Sequence, residues 1–592
     1  MNSQKTSLPD TIAEASFSIT RECRQQLAEA HEELLTATLK TWRANASLMK
    51  SALGYPAGVT IPLWQSIRSL FELQSDQCLR AFETVTSNIE AGQHYAVGVL
   101  SYLNEFMNPY WTALNSFSSL EKDKLVRTPL LQSTMDYFEL LRFNVQIAEQ
   151  GSKGTMSGLD EFNRQEALRL GRAVLNSLLG KRREGLRDYS AGMARLLDAL
   201  VYRYPEAIRA IEPEFGFHFD DGGYILADET DRFYLYQVLP RDPAVSTRKH
   251  GKPILIMHPY VLGPNILAFL PGENKSYVHA FANQGIPTYI RILKDIQTNP
   301  AVQTMTGEDD ARDTHRFSSL LKAVHGRPVT LNGFCQGGFI ALLDVLSGEL
   351  DGSVDALITC VAPMDGTRSK SLVEYMQHLP NRFRDLNYAV KDLPNGNRIV
   401  DGKVMSWVYK LKSMEKEAPL VTLYRDMGNF QRDGGPIRIG KTAAAMNHWL
   451  LYDRNDLPEA ITKLSFDSYT IPITADGTLP VTLFGRSLNL HGIREKGIRW
   501  LICYAEGDDL VDRDACLAPL DHLEDVEVTP FPKGHGAIAT SWSDPDSACA
   551  LHTRFGSGCR GPVRFQLDLD AESTAEGEKT LPPSGKTKSR NN

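Results

Sequence analysis

The stretch Arg327 to Gly348, RPVTLNGFCQGGFIALLDVLSG, restricts the possible folds more than any other part of the chain. An apolar run, Val329 to Leu331, leads into Gly333-Phe334-Cys335-Gln336-Gly337-Gly338, and an apolar helical pattern follows. The pattern predicts a strand, a sharp turn and a helix. Glycines at 333, 337 and 338 allow a turn too tight for a Cβ atom. A turn of this kind projects its central side chain beyond the sheet edge. The spacing is that of the G-x-S-x-G nucleophile elbow, with Cys335 in place of the usual serine. Free cysteines are often buried simply as packing residues. The glycine setting favours a nucleophile at Cys335, whereas the other seven cysteines have no such setting and read as structural.

The regions on either side agree with a sheet-based catalytic unit. At 592 residues the chain is too long for one compact core, so two or more units are expected. Residues 1–205 read as an all-helical N-terminal domain. Leu27, Leu34, Leu35, Leu39 and Trp42 recur at helical spacing, as do Trp64, Ile67, Phe71, Cys78, Phe82 and Val85. Two further helices run through RQEALRLGRAVLNSLLG and AGMARLLDALVYRY. Near Pro213 the character changes. GGYILADETDRFYLYQVLP reads as an antiparallel pair, and PILIMH, IPTYIRI, PVTLNGF, ALITCVA, IRWLICYAEG and VEVTPFP then alternate with helical segments. This alternation predicts an α/β domain over 206–560, a mostly parallel sheet with helices on both faces. It lapses over about 365–497, which predicts a cap insertion. From 561 to 592 the chain turns polar and reads as a disordered tail.

A nucleophile at an elbow needs a base and an orienting acid. In the α/β-hydrolase fold these follow in the order nucleophile, Asp, His. WLICYAEGDDLVD ends a strand and supplies Asp508 and Asp509, of which Asp508 fits the turn pattern better. VTPFPKGHGAI places His535 between glycines just after the last strand. Two N–H donors are needed for an oxyanion. One is expected from Gln336, the residue after the nucleophile, and the other from Val261 in HPYVLGPN. Gly435 to Thr442, GPIRIGKT, matches a phosphate-loop spacing but is preceded by a polar, broken segment, so nucleotide binding is not expected. No metal-ligand spacing or dinucleotide fingerprint occurs, so neither a metal nor any cofactor is expected. The net charge of −8, without a strong basic block before the tail, points away from nucleic acid. There is no uninterrupted apolar run of about 18 residues, so no transmembrane segment is expected. The first residues lack the pattern of a secretory signal. Eight scattered cysteines without a CxxC pair fit a reducing cytoplasm.

A thiol suits one kind of chemistry in particular. Its acyl product is a thioester, close in energy to an acyl-CoA and reactive toward an incoming hydroxyl. In this respect NGFCQGG, the segment KPILIMHPYVLGPNILAFLPGENKSYVHAFANQGIPTYIRI, NHWLLYDRNDLP, GDDLVD and KGHGA together resemble the polyhydroxyalkanoate synthases. The resemblance spans about Arg232 to Ile538. It departs from the family at Asp509, where synthases carry histidine, at Tyr452, where they commonly carry tryptophan, and at Leu262-Gly263-Pro264.

The resemblance implies an acyltransferase in which Cys335, activated by His535, takes the acyl group of a (R)-3-hydroxyacyl-CoA and releases CoA. A monomer hydroxyl then extends a thioester-bound polyester, and Asp508 helps to activate that hydroxyl. It also implies a cytoplasmic location at a granule surface. The N-terminal helices, similar in style to granule-coating phasins, are candidates for attachment there or for pairing two chains as a homodimer. Two other readings of the same residues stay open. One is a cysteine hydrolase, either an intracellular depolymerase of the polyester or an acyl-CoA thioesterase. The other is a granule-associated protein with a silent catalytic domain.

Overall fold

The computed structural model describes residues 84–101, 130–179, 185–379, 386–406, 414–417, 419–430, 437–540, 542–544, 547, 550–551 and 559–569. They divide into two compact units. The expected stripes at Leu27–Trp42 and Trp64–Phe82 lie outside the described residues.

The first unit is helical. It contains residues 84–101, α1 (Leu130–Leu178) and α2 (Leu186–Asp198), which runs on through a π-helical turn at Ala199–Arg203. On α1, Thr155, Phe162, Glu166, Leu170 and Ala173 are buried at steps of three, four and seven, so they share one face. Segments 378–389 and 404–444 belong to this unit as well. Tyr424, on the helix Pro419–Phe430, stacks on Phe162 and shares a 2.6 Å hydrogen bond with the Tyr95 hydroxyl. The insertion expected as one cap over 365–497 is therefore divided between the two units. Its middle carries an apolar helix face that finds its partners among the N-terminal helices. Before the Gly435–Thr442 motif the described residues form that same helix, not the strand a phosphate loop leaves, and Gly435 itself lies outside the described residues.

The second unit is built on an eight-stranded sheet. Its strands are β1 (Tyr224–Glu229), β2 (Phe233–Val238), β3 (Ile254–Met257), β4 (Thr288–Leu293), β5 (Val329–Phe334), β6 (Val354–Cys360), β7 (Arg499–Ala505) and β8 (Val526–Phe531). Their spatial order is β1-β2-β4-β3-β5-β6-β7-β8. β2 runs antiparallel to both its neighbours, and the other pairings are parallel. This is the α/β-hydrolase topology, and each expected apolar run forms one of its strands. β3 and β5 are buried along their whole length, as in a sheet covered on both faces. α3 (Gly307–His325) begins with a capping box, Thr306 with Asp309, and ends at Gly326 with φ 71°. All twelve residues of α4 (Gln336–Ser347) are buried, which accounts for its apolar character all round.

The chain end differs from expectation. Residues 561–569 do not continue the polar tail: Val563, Phe565 and Leu567 are buried, and Thr529 on β8 donates to the Arg560 carbonyl at 2.6 Å. Alternating apolar residues in an otherwise polar region give this segment something to bury.

The centre of the sheet unit holds a buried charge. Arg291 on β4 and Asp310 on α3 pair at 2.7 Å with side chains 1% and 0% exposed. Arg291 also donates to the Thr314 and Tyr260 hydroxyls at 2.6 and 2.7 Å, and Tyr260 donates to Asp310. Asp344 on α4 accepts from Thr314 at 2.8 Å; burial and then the Asp310 charge push its carboxyl well above the usual range. Removing one member of such a pair strands the other in a medium that solvates it poorly. Arg291→Met should therefore destabilise the unit by about 3–5 kcal/mol in urea unfolding. The double change Arg291→Met with Asp310→Leu should recover most of that loss.

Candidate active site

Cys335 forms the turn between β5 and α4. Its φ is 52° and its ψ −124°, a strained conformation for a residue with a side chain. The turn closes because three Cβ atoms are missing. At Gly333 a Cβ would fall 2.3 Å from the Gly337 oxygen, at Gly337 2.4 Å from the Met257 oxygen, and at Gly338 2.6 Å from the Ala362 Cβ. The Cys335 N–H donates to the Cys360 carbonyl at 2.8 Å, tying the elbow to β6. The sulfur-bearing residue is 7% exposed. Cys503 and Cys516 are also buried, and burial pushes both thiols well up, so they are poor nucleophiles.

Asp508 and His535 come from the loops after β7 and β8. The two loops are tied together: the Glu506 N–H donates to the Phe531 carbonyl at 2.7 Å and the Gly507 N–H to the Lys533 carbonyl at 3.1 Å. Asp508 Oδ2 lies 2.7 Å from His535 Nδ1. Asp508 Oδ1 accepts from the N–H groups of Leu510 and Val511 at 2.9 and 3.0 Å. Asp508 is buried and Asp509 exposed, so the two adjacent aspartates occupy different environments. Burial alone would lower the His535 pKa, but the charges of Asp508 and Cys335 and the Asp508 hydrogen bond raise it well above the ordinary histidine value. Its Nε2 is buried and makes no hydrogen bond. With the Asp508 carboxylate on Nδ1, that nitrogen remains for exchange of a proton with the thiol.

The two expected oxyanion donors meet in an unexpected way. Gln336 is the first residue of α4, so its N–H has no partner within the helix. The Val261 N–H points to the same residue but is occupied, donating to the Gln336 side-chain oxygen at 3.2 Å. The Gln336 Nε2 in turn donates to Ser465 Oγ at 2.8 Å, on α5 (Glu459–Thr470).

Sequence reasoning did not identify the residues that hold the Val261 loop. From one side Tyr260 is fixed by Asp310 and Arg291. His258 is driven neutral, with a pKa of about 4, by burial. Its ring accepts from the Leu293 N–H at 3.4 Å and contacts the Pro259 carbonyl at 3.1 Å. From the other side Trp449 donates to the Leu262 carbonyl at 3.1 Å. Gly263 has φ 70°, and a Cβ there would meet the Asn455 side chain at 2.9 Å. Asp453 beside it is pushed up to about 6 by burial. The NHWLLYDRNDLP segment thus packs on the departing Leu262-Gly263-Pro264 loop. That they occur in order was readable from sequence, but their contact was not.

No protein-family model and no curated protein sequence matches the chain. Among solved structures, it is similar to a carboxylesterase of the thaumarchaeon Nitrososphaera gargenis at 14% identity, over 53% of this chain and 92% of that one, with a TM-score of 0.31. An esterase from Rhodococcus sp. matches at 13% identity over 54% and 94% of the two chains, with a TM-score of 0.29. The thioesterase domain of the curacin biosynthetic pathway matches at 10% identity over 54% and 95%, with a TM-score of 0.29.

The raised His535 pKa has a definite sign. The stabilisation that the imidazolium draws from its partners is complete below the unfolded value of about 6.5 and is lost as pH rises through the higher folded value. In a protein with 13C-labelled histidines, the His535 resonance should stay in its protonated position through pH 7. Asp508→Asn should bring its midpoint down; an unchanged midpoint would remove Asp508 as a cause.

Proposed function

We propose that the chain is an acyltransferase that carries its substrate as a thioester on Cys335 and polymerises (R)-3-hydroxyacyl-CoA into a polyester with release of CoA. One observation carries the covalent part: a cysteine at φ 52° on a strand–helix elbow, with a histidine that packs edge-on against the neighbouring Phe334 and is bonded to a buried aspartate. The choice of substrate is supported by the resemblance of the quoted segments to polyhydroxyalkanoate synthases.

In the first half-reaction His535 holds the thiol proton, and the Cys335 sulfur attacks the thioester carbonyl. The electron pair displaced onto oxygen is received by the N–H groups of Gln336 and Val261. Collapse expels CoA thiolate, which takes the proton back from His535. In the second half-reaction the hydroxyl of a monomer unit attacks the enzyme thioester; the ester C–O bond forms, the acyl C–S bond breaks, and Cys335 leaves with the bonding pair as the thiolate. His535, now neutral, accepts that hydroxyl proton, with Asp508 stabilising the imidazolium that forms. Sulfur-to-sulfur transfer is nearly balanced in energy, so the acyl group remains activated until a hydroxyl arrives. A cytoplasmic granule surface as partner is supported by Ile89, Leu100, Leu168 and Leu178, which are half or more exposed among the described residues.

The test is incubation of the purified full chain with (R)-3-hydroxybutyryl-CoA, following thiol release and polymer together. Both should appear. Thiol and free acid without polymer would instead identify a cysteine hydrolase. Cys335→Ala should reduce thiol release by at least ~10⁴-fold, and granule formation that survives this change would favour a non-catalytic granule protein. Asp508→Asn should impair chain extension more than the first acylation, measured as polymer length against the size of the thiol burst.

A further inference from the structure

The side chain of Gln336 occupies the position that its own backbone is expected to serve. Its amide oxygen accepts the Val261 N–H at 3.2 Å, its amide nitrogen donates to Ser465 at 2.8 Å, and the residue is 6% exposed. A carboxamide oxygen carries partial negative charge and accepts hydrogen bonds as a carbonyl does. It is therefore a chemical stand-in for the substrate oxygen.

The Val261 N–H is one donor. It cannot support a developing oxyanion at full strength while it is bonded to Gln336. The other donor, the Gln336 N–H, belongs to the same residue, so the side chain can swing out without displacing it. What holds the side chain in is Ser465, on a helix of the segment inserted between β6 and β7. Ser465 Oγ also donates back to the Ile461 carbonyl at 3.4 Å, so its position follows that helix.

We propose that the Gln336 carboxamide is a resting-state occupant of the oxyanion hole, latched by Ser465, and that the incoming acyl oxygen must displace it before Cys335 can be acylated. This rests on the reading of Cys335 as acyl carrier and of Val261 and Gln336 as backbone donors. Gln336 and Ser465 are positioning residues in this scheme, because they set when the hole is available. Movement of the inserted helix then controls the hole through one side-chain hydrogen bond.

Two reactions of the same sulfur separate this role from others. Acylation by p-nitrophenyl acetate forms a C–S bond, moves the carbonyl pair onto oxygen, and expels p-nitrophenolate with its bonding pair as the carbonyl re-forms. It needs the hole. Alkylation by iodoacetamide displaces iodide at a saturated carbon and creates no oxyanion. In the full-length protein, Gln336→Ala and Ser465→Ala should each speed the p-nitrophenolate burst about three- to tenfold, the size expected for releasing one neutral hydrogen bond. Alkylation of Cys335, read by mass spectrometry, should keep its wild-type rate in both variants.

A slower burst in either variant would mean that the amide orients the Val261 loop, and the latch would be overturned. Equal gains in acylation and alkylation would reduce Gln336 to a cover over the sulfur and overturn it as well, as would unchanged acylation. Ser465→Ala leaves the elbow sequence untouched, so the result does not hang on Gln336→Ala folding. A burst in the wild type without gain in the variants sinks only the latch. No acylation of Cys335 in any of the three proteins sinks the thioester reading and the latch together.

Discussion

Gly333, Gly337 and Gly338 let β5, the start of α4 and the ends of β3 and β6 approach one another more closely than any side chain would allow. That approach forces Cys335 into positive φ and directs its side chain away from the sheet edge. It also brings the free N–H of Gln336 beside the β3 loop that carries Val261. Strain gathers where these strands end: Val361, a β-branched residue just past β6, also has positive φ, at 47°. The surrounding sheet is buried and continuous enough to hold two such residues side by side.

The electrostatics follow from this geometry. Asp508 is out of water yet fully engaged, with two backbone N–H groups on one oxygen and His535 on the other. A carboxylate held in this way favours the imidazolium, and an imidazolium favours a thiolate close by. Serine uses such a pair as a general base at the moment of attack, whereas a thiol can also rest beside it as a thiolate, because the serine alkoxide lies far higher in energy. The cysteine in the elbow and the raised His535 are thus two sides of one arrangement.

The strands, their order and the positions of Cys335, Asp508 and His535 at strand ends were legible because each depends on local patterns: apolar runs, glycine spacing and chain order. The sequence favours Asp508 over Asp509 because GDDLV fits a common turn pattern; that it is the Asp508 carboxylate which accepts the Leu510 and Val511 N–H groups and reaches His535 emerges only from the structure. Three features were not legible. The division of the insertion between two units depends on which apolar face Tyr424 meets. The packing of Val563 and Phe565 near β8 was hidden by the polar composition around them. The Gln336 side chain was read only as the bearer of a backbone donor, because its partners Val261 and Ser465 lie far away in sequence.

The loop bearing Val261 shows why long-range partners matter for chemistry. In the mechanism proposed above Val261 supplies an oxyanion donor, and a misplacement of about 1 Å can cost roughly 10²-fold in rate, so that mechanism needs the loop held more firmly than its own short turns can manage. Apolar packing would hold it against removal but not against sliding. Directional bonds do both, and here they come from opposite sides: Arg291 and Asp310 through Tyr260, and Trp449 through the Leu262 carbonyl. The buried ion pair is a costly way to gain stability, since an apolar pair of the same volume would serve as well. Its fixed geometry at the base of the loop is what an apolar pair could not supply. On the proposed reading, the residues that hold the Val261 loop belong to the site as much as those that surround the sulfur.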